Sequence, residues 1–420
     1  MVSPGWGIGR RVGFRFGILV GALLVFPFPI GKIPKTEWLG DLLNKPLQLA
    51  VRWFAQNALG LADPSMIGTG SSDRLWDYIQ LLVIALLALL GTIVWSVMDR
   101  RRTAYPRLAA GAQAGMRYYV ASVMLFYGVG KILELQFPDL PPGWLDRRVG
   151  DMSPMGLLWT FMGYSRSYTV FAGLAEVLGG VLLLWRRTAT IGALVVTAVM
   201  ANVVALDFCY DVPAKLYSLQ FLIMAILIAM PSARRMMAAA MGRAVPEVPP
   251  PARMSPPWER ARLIGKAAML AALACNLWFG LHGELDRVKP PANELYGTWI
   301  VDSFVADGVE RPPLASDHDR WRAILASSTW LWLSSLTGER EGGGLSVDDV
   351  HHTIVFERDD KDNATTKQTE IWKYTRPVHD QLVIDGVHRG KNLHVTLHLA
   401  PEPILLARGF HWITEVPFVR

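Results

Sequence analysis

The chain has 420 residues, 51% of them hydrophobic, and the apolar residues gather in blocks of about 20, the length that crosses a bilayer core. Its net charge of +6 divides unevenly: residues 290–420 hold 13 Lys/Arg and 19 Asp/Glu, a balance of −6, and the rest holds 29 and 17, a balance of +12. The basic charge abuts the apolar blocks, which excludes nucleic acid as a partner and marks an integral membrane protein with the bilayer as its first partner; two cysteines, Cys209 and Cys275, exclude a disulfide framework.

The first apolar block, "GFRFGILVGALLVFPFPIG" over 13–31, follows Arg10 and Arg11 and takes in Arg15. No small-residue cleavage site follows it, so it reads as a retained span rather than a signal peptide. A polar loop covers 32–74. Within it, "PLQLAVRWFAQNALG" is an amphipathic helix that Pro46 opens and Gly60 ends, with Ala50, Phe54 and Ala58 on one face. With Trp53 beside that face, the helix suits a membrane surface. The second span runs over 75–98, and Arg100, Arg101 and Arg102 follow at once.

The third span covers 113–137. In the loop after it, "DMSPMGLLWTFMGYS" places Ser153 and Pro154 at the start of a short apolar helix, re-entrant or interfacial. Spans over 168–185, 189–207 and 214–230 follow, with Arg186–Arg187 and Arg234–Arg235 at their ends. A Pro-rich linker at 244–260 leads to a seventh span at 263–281. The expected domains are therefore two N-terminal spans with their loop helix (1–111), a four-helix core (112–232), a cytoplasmic linker (233–262), a seventh span (263–282) and a β domain (290–420). With the N-terminus in the cytoplasm of a bacterial inner membrane, every arginine cluster that abuts a span falls inside, Arg147–Arg148 dissents, and the β domain falls outside.

All nine histidines lie between His282 and His411. In "KNLHVTLHLA" the apolar residues alternate as in a half-buried strand, which puts His394 and His398 on the solvent face, ~13 Å apart and too far to share a metal. The histidines read as surface residues. Other strands are "YGTWIVDSFVA", "RWRAILAS", "WLWLSSL", "HTIVFERD", "EIWKYTR" and "DQLVIDGV", with Asp385-Gly386 as a turn. They predict one antiparallel barrel or sandwich. "GTW" at Gly297 to Trp299 resembles the first-strand Gly-x-Trp of lipocalins. The aromatic "RGFHWITEVPF" suits packing across the barrel base or against a membrane surface.

Polar residues inside the spans carry the functional expectation. Lys131 sits near the outer end of the third span, with Tyr127 four residues before it and Glu134 three after. Its bland reading is snorkelling. Glu176 lies mid-span, on a face with Gly173 and Gly180 that permits close helix approach. Asn202 and Asp207 lie in the outer half of the fifth span, and Lys215 and Gln220 enter the sixth from the same side. Intramembrane ionisable groups face cavities and pair with one another, so Lys131 with Glu176 or with Asp207 is the natural pair, and Glu134 a further candidate. A fixed ion-pair network that only locks the bundle is the structural alternative.

"RYYVASVMLFYGVGKILELQFP", "DMSPMGLLWTFMGYS", "FAGLAEVLGGVLLLWRRTATIGALV" and "FCYDVPAKLYSLQ" together resemble the DoxX-like membrane proteins over residues 112–232. One branch of that family includes a subunit of thiosulfate:quinone oxidoreductase, and Gly-x-x-Lys helices also occur in the transmembrane part of vitamin K-dependent carboxylases. The resemblance implies a four-helix core, and a quinone or other amphiphile as ligand of a redox-accessory or binding protein. Any oxidoreductase role rests on the resemblance alone, since no metal, haem or nucleotide motif accompanies it. A membrane enzyme with Lys131 as a desolvated base is a further reading. An assembly factor whose β domain recognises an envelope protein is the main alternative.

Overall fold

The computed structural model describes residues 5–28, 30, 35–61, 71–245, 256–288, 293–359 and 367–412. The core of the Pro-rich linker (246–255) and the last residues of the aromatic tail (413–420) lie outside the described residues. The chain forms two units: one of residues 1–137 and 166–285, the other of 138–165 and 286–420.

The first unit is helical. It comprises α1 (Ile8–Val25), α2 (Glu37–Asn57), α3 (Leu75–Met98), α4 (Pro106–Ile132), α7 (Arg166–Leu184), α8 (Ala189–Cys209), α9 (Lys215–Ala229), the short α10 (Ala233–Ala240) and α11 (Pro256–Val288). Five helical stretches among the described residues are long and apolar enough to cross a membrane: Leu75–Met98, Arg166–Leu184, Ala189–Cys209, Lys215–Ala240 and Leu263–Gly283. The other two expected spans, α1 and α4, carry too much polarity to meet that measure. α1 holds Arg10, Arg11 and Arg15, and α4 holds Arg117 and Lys131.

The α1 arginine is accommodated by partners. Arg15 is buried and donates to the Tyr105 hydroxyl at 2.7 Å, the Ser96 hydroxyl at 2.8 Å and the Asp99 carbonyl at 2.9 Å. This network fastens α1 to the far end of α3, beside Arg100–Arg102. Against α3 also packs α2, through Val51 and Ala55 onto Trp76, Ile79 and Val83. Pro46 lies inside α2, not at its start as expected. A proline deletes one donor and crowds the preceding turn, but here the helix continues through it, starting nine residues earlier and turning Leu47, Val51 and Ala55 inward.

Helices α4, α7, α8 and α9 form a bundle around Val120, Met124, Leu183, Val196, Met200 and Met224. Glycines set its closest approach. A Cβ on Gly128 would lie 2.8 Å from the Gly173 carbonyl oxygen, and one on Gly173 would lie 2.6 Å from that of Gly128. Gly180 faces α4 too, so the small-residue stripe of α7 is the surface that α4 occupies. Cys209, at the end of α8, is exposed rather than buried in the bundle.

The second unit is a β-barrel with the 138–165 connection packed on it. Its strands are β1 (Gly297–Ala306), β2 (Val309–Glu310), β3 (Trp321–Ala326), β4 (Trp330–Ser335), β5 (Arg340–Asp348), β6 (Thr353–Asp359), β7 (Lys367–Thr375), β8 (Gln381–His388) and β9 (Lys391–Leu399). All pairings are antiparallel in chain order, and β1 pairs with both β3 and β9, closing an eight-stranded barrel to which β2 adds a short edge. Trp299, Trp372, Tyr374, Phe304 and Phe356 fill its interior, each under 3% exposed. Ser153 caps α6 (Pro154–Tyr164), its side chain accepting from the Gly156 amide at 3.0 Å. In the same connection is α5 (Pro142–Leu145), and just after it Asp146 meets Arg322 at 2.6 Å and Arg340 at 2.8 Å.

Two strand expectations change. Asp385-Gly386 is not a turn but lies inside β8, because Trp372 covers Gly386 so closely that a Cβ there would lie 2.4 Å from its ring; Arg389-Gly390, both at positive φ, makes the turn. β5 was not expected; its glycines pair with Trp330, Leu331 and Trp332, and a Cβ on Gly342 would lie 2.9 Å from the Trp330 ring nitrogen and one on Gly343 2.6 Å from the Phe356 ring.

Gly128→Leu should separate α4 from α7 and cost about 1–3 kcal/mol by overpacking. Heating the detergent-solubilised protein should show a clearly lower transition than for Gly111→Leu, where nothing lies within 4 Å of a Cβ; equal transitions would refute the close-contact reading.

Candidate functional site

The glycine contact between α4 and α7 brings two ionised groups together one turn away. Lys131, in the last turn of α4, donates from Nζ to Glu176 Oε1 of α7 at 2.6 Å. Their side chains are 10% and 4% exposed, so neither reaches outward to snorkel. The second oxygen, Glu176 Oε2, is buried without a hydrogen-bond partner. Asp207 of α8 is buried as well, lies within the electrostatic reach of Lys131 with Ser218 of α9 beside it, and leaves Oδ2 unpartnered. All four helices of the bundle thus contribute to one polar region.

Lys131 is thus hydrogen-bonded to Glu176, and Asp207 lies within the electrostatic reach of both Lys215 and Lys131. A buried charge without compensation costs several kcal/mol. Glu176 Oε2 and Asp207 Oδ2 each have room in their hydrogen bonding for a further donor, and the Lys131 ammonium has donors beyond the one given to Glu176.

The remaining expected residues lie elsewhere. Glu134, at positive φ just past α4, pairs with Arg166. Lys215 joins Asp211 at 2.8 Å and Asp73 at 3.7 Å. Asp73 accepts from the amides of Lys215 and Leu216 at 2.9 Å each, which caps α9 from the segment before α3. That cluster is a helix fastening. Asn202 is exposed on the bundle surface and Gln220 is half-buried, whereas Tyr127, though partly exposed, lies within the electrostatic reach of Glu176.

The barrel holds a second polar cluster, which the surface reading of the histidines missed. His394 and His398 are exposed as expected, each 2.7 Å from an aspartate, Asp385 and Asp302. His388 is buried instead. Its Nδ1 lies 2.7 Å from Glu370 and its Nε2 3.6 Å from Glu341, and the Trp321 and Trp372 rings meet it edge-on. Arg358 bridges the same two carboxylates at 2.7 and 3.2 Å, and Arg389 adds a contact to Glu341 at 2.9 Å. A signal existed: His388 shares the parity of Leu382 and Ile384, the inward face of β8.

Burial alone would raise the Glu341 carboxyl, but His388, Arg389 and Arg358 prevail and draw it down to about 2. Glu370 is lowered from 4.5, against its burial, chiefly by His388. Burial opposes the charge on His388, yet the two carboxylates hold its pKa above 6.5.

No protein-family model and no solved structure matches the chain. An uncharacterised protein of Bacillus subtilis, YwoB, is 31% identical to it over 124 residues, which are 30% of this chain and 79% of the Bacillus protein. The chain belongs to the YwoB family. YwoB is well under half as long as this chain, so the combination of helical unit and barrel goes beyond what that relative contains.

Lys131→Met alone should destabilise the helical unit by about 3–5 kcal/mol, because it strands a buried carboxylate. Lys131→Met combined with Glu176→Leu should recover most of that loss; thermal unfolding in detergent reads both, and an additive double variant would refute the coupling. The barrel should depend on pH in two limbs. Glu341, with its lowered pKa, stabilises fully above 4.5, and this is lost as pH falls toward 2. His388, with its raised pKa, stabilises fully below 6.5, and this is lost as pH rises through its folded value. Near-ultraviolet circular dichroism of Trp321 and Trp372 on heating should show the alkaline limb vanish in His388→Gln while the acid limb persists.

Proposed function

We propose that this chain is a seven-span, DoxX-like protein of a bacterial inner membrane that binds the polar head of a membrane-dissolved amphiphile, with a quinone as the favoured class. The observation that carries this reading is the buried Lys131–Glu176 ion pair with two unpartnered carboxylate oxygens around it. A purely structural pair does not need such oxygens. A quinone carbonyl would accept from Lys131, and the hydroxyl of its reduced form would donate to Glu176 Oε2 or Asp207 Oδ2. The site therefore suits either redox state of such a head without itself transferring electrons, which makes the chain a binding or redox-accessory protein.

Chain parity supports the proposed orientation. The 138–165 connection and residues after 286 belong to one unit, and Asp146 is ion-paired with Arg322 and Arg340. If α7, α8, α9 and α11 each cross the bilayer, four crossings return the chain to the side it left. Arginines also mark helix ends: Arg11 reaches the Arg102 carbonyl, just past α3, at 3.2 Å, and Arg117 the Leu183 carbonyl, in the last turn of α7, at 2.9 Å. Those ends would be cytoplasmic by the positive-inside rule, with the barrel outside.

Mass spectrometry of organic extracts should find an isoprenoid quinone or a single lipid class enriched with the purified protein. Its yield should fall at least fivefold in the folded variant Lys131→Met with Glu176→Leu. Unchanged content would reject the amphiphile site and favour the assembly-factor reading, in which the pair only locks the bundle.

A further inference from the structure

The barrel is filled at one end and hollow at the other. Trp299, Trp372, Tyr374 and Phe356 close the filled end. Over Phe304 and Trp321 opens a cavity of about 890 Å³, within the ~300–1,000 Å³ range of small-molecule sites. Gly342, Gly343 and Gly344 of β5 form part of its lining.

The wall is charged, yet its charges are already paired. Arg358 and Arg389 hold Glu341, Lys391 holds Asp319 at 2.7 Å, and Arg311 reaches the same aspartate at 3.5 Å. An ion entering would lose hydration and meet groups that already have partners of opposite charge. An aliphatic chain would desolvate guanidinium and carboxylate groups without satisfying them. The paired groups retain spare capacity, however: guanidinium has five donors in a plane, and a carboxylate has about four acceptor directions. A hydroxyl, which donates and accepts at once, can bridge both members of such a pair. The aromatic floor of Trp321 and Phe304, whose rings meet edge-to-face at 5.4 Å, offers an apolar surface to C–H groups.

We propose that the barrel cavity binds a neutral polyhydroxylated molecule of mono- to disaccharide size, with Glu339, Glu341, Arg358, Arg389 and Lys391 engaging its hydroxyls. Depth grades the roles: Glu341 and Arg358 lie inside, while Glu339, Arg389 and Lys391 reach toward solvent at the rim. This site is independent of the intramembrane one.

The test is isothermal titration of the full chain in lipid nanodiscs, free of sugar-headed detergent, with maltose, N,N′-diacetylchitobiose, decanoate and inorganic phosphate as probes. Saturable binding of at least one disaccharide is expected. It should weaken tenfold or more in Arg389→Ala and in Glu339→Gln, rim changes that leave the buried His388 contacts in place, and stay unchanged in His398→Gln on the outer face. Binding of decanoate or phosphate in place of both disaccharides, binding of no probe, or disaccharide binding indifferent to the rim variants would each overturn the proposal.

Discussion

The helical unit depends on one contact made possible by the absence of side chains. Gly128 and Gly173 bring the α4 and α7 backbones together, and only at that separation does the Lys131 ammonium meet the Glu176 carboxylate. In hydrocarbon, either charge alone is expensive. The glycines and the ion pair are therefore one device: the first sets the distance, and the second makes any other distance costly. Ridge-and-groove packing around Val120, Met124 and Val196 then fills the space that this spacing leaves.

The same reasoning separates the two polar clusters. At His388, two carboxylates meet two arginines and an imidazole, so nearly every charge has a neighbour of opposite sign. Such a cluster is self-sufficient, because its carboxylates are engaged by the cations around them. Around Lys131 the satisfaction is unequal: one oxygen of Glu176 and one of Asp207 have no hydrogen-bond partner. A self-sufficient cluster selects ligands by shape and hydroxyl geometry. An unequal one selects by what completes it. This difference, rather than burial, is why different ligand chemistry is assigned to each.

Legibility in the sequence followed how local each cause was. Glu176 between Gly173 and Gly180 announced a helix face turned inward, and Ser153-Pro154 announced a capped helix start, because both patterns act within a turn or two. Depth alone suggested that Asn202 and Tyr127 join the hollow, but depth does not fix rotation about a helix axis: Asn202 lies outward, while Tyr127, partly exposed, stays within the electrostatic reach of Glu176. β5 was hidden since its reason lies on its neighbours: Gly342 and Gly343 are explained only once Trp330 and Trp332 on β4 and Phe356 on β6 are seen against them. Gly386 misled for the same cause, its demand for glycine coming from Trp372 on the adjacent strand. His388 was readable by parity and was overlooked through composition, which assigns histidine to surfaces.

Pro46 and Lys215 show where sequence rules gave way to packing. Proline's cost in a helix interior is real, yet α2 runs through it because Val51 and Ala55 bury against Trp76 and Ile79 further on, and earlier turns share the same helix. Lys215 looked like a third member of the intramembrane hollow, but Asp73, from a segment 142 residues away, takes the first amides of α9 and draws the lysine with it. Its ammonium, paired with Asp211 and Asp73, still lies within the electrostatic reach of Asp207, as Lys131 does. What sets the bundle site apart is therefore not a missing cation but two buried carboxylate oxygens, Glu176 Oε2 and Asp207 Oδ2, that no hydrogen-bond donor meets; a purely structural ion pair does not need them.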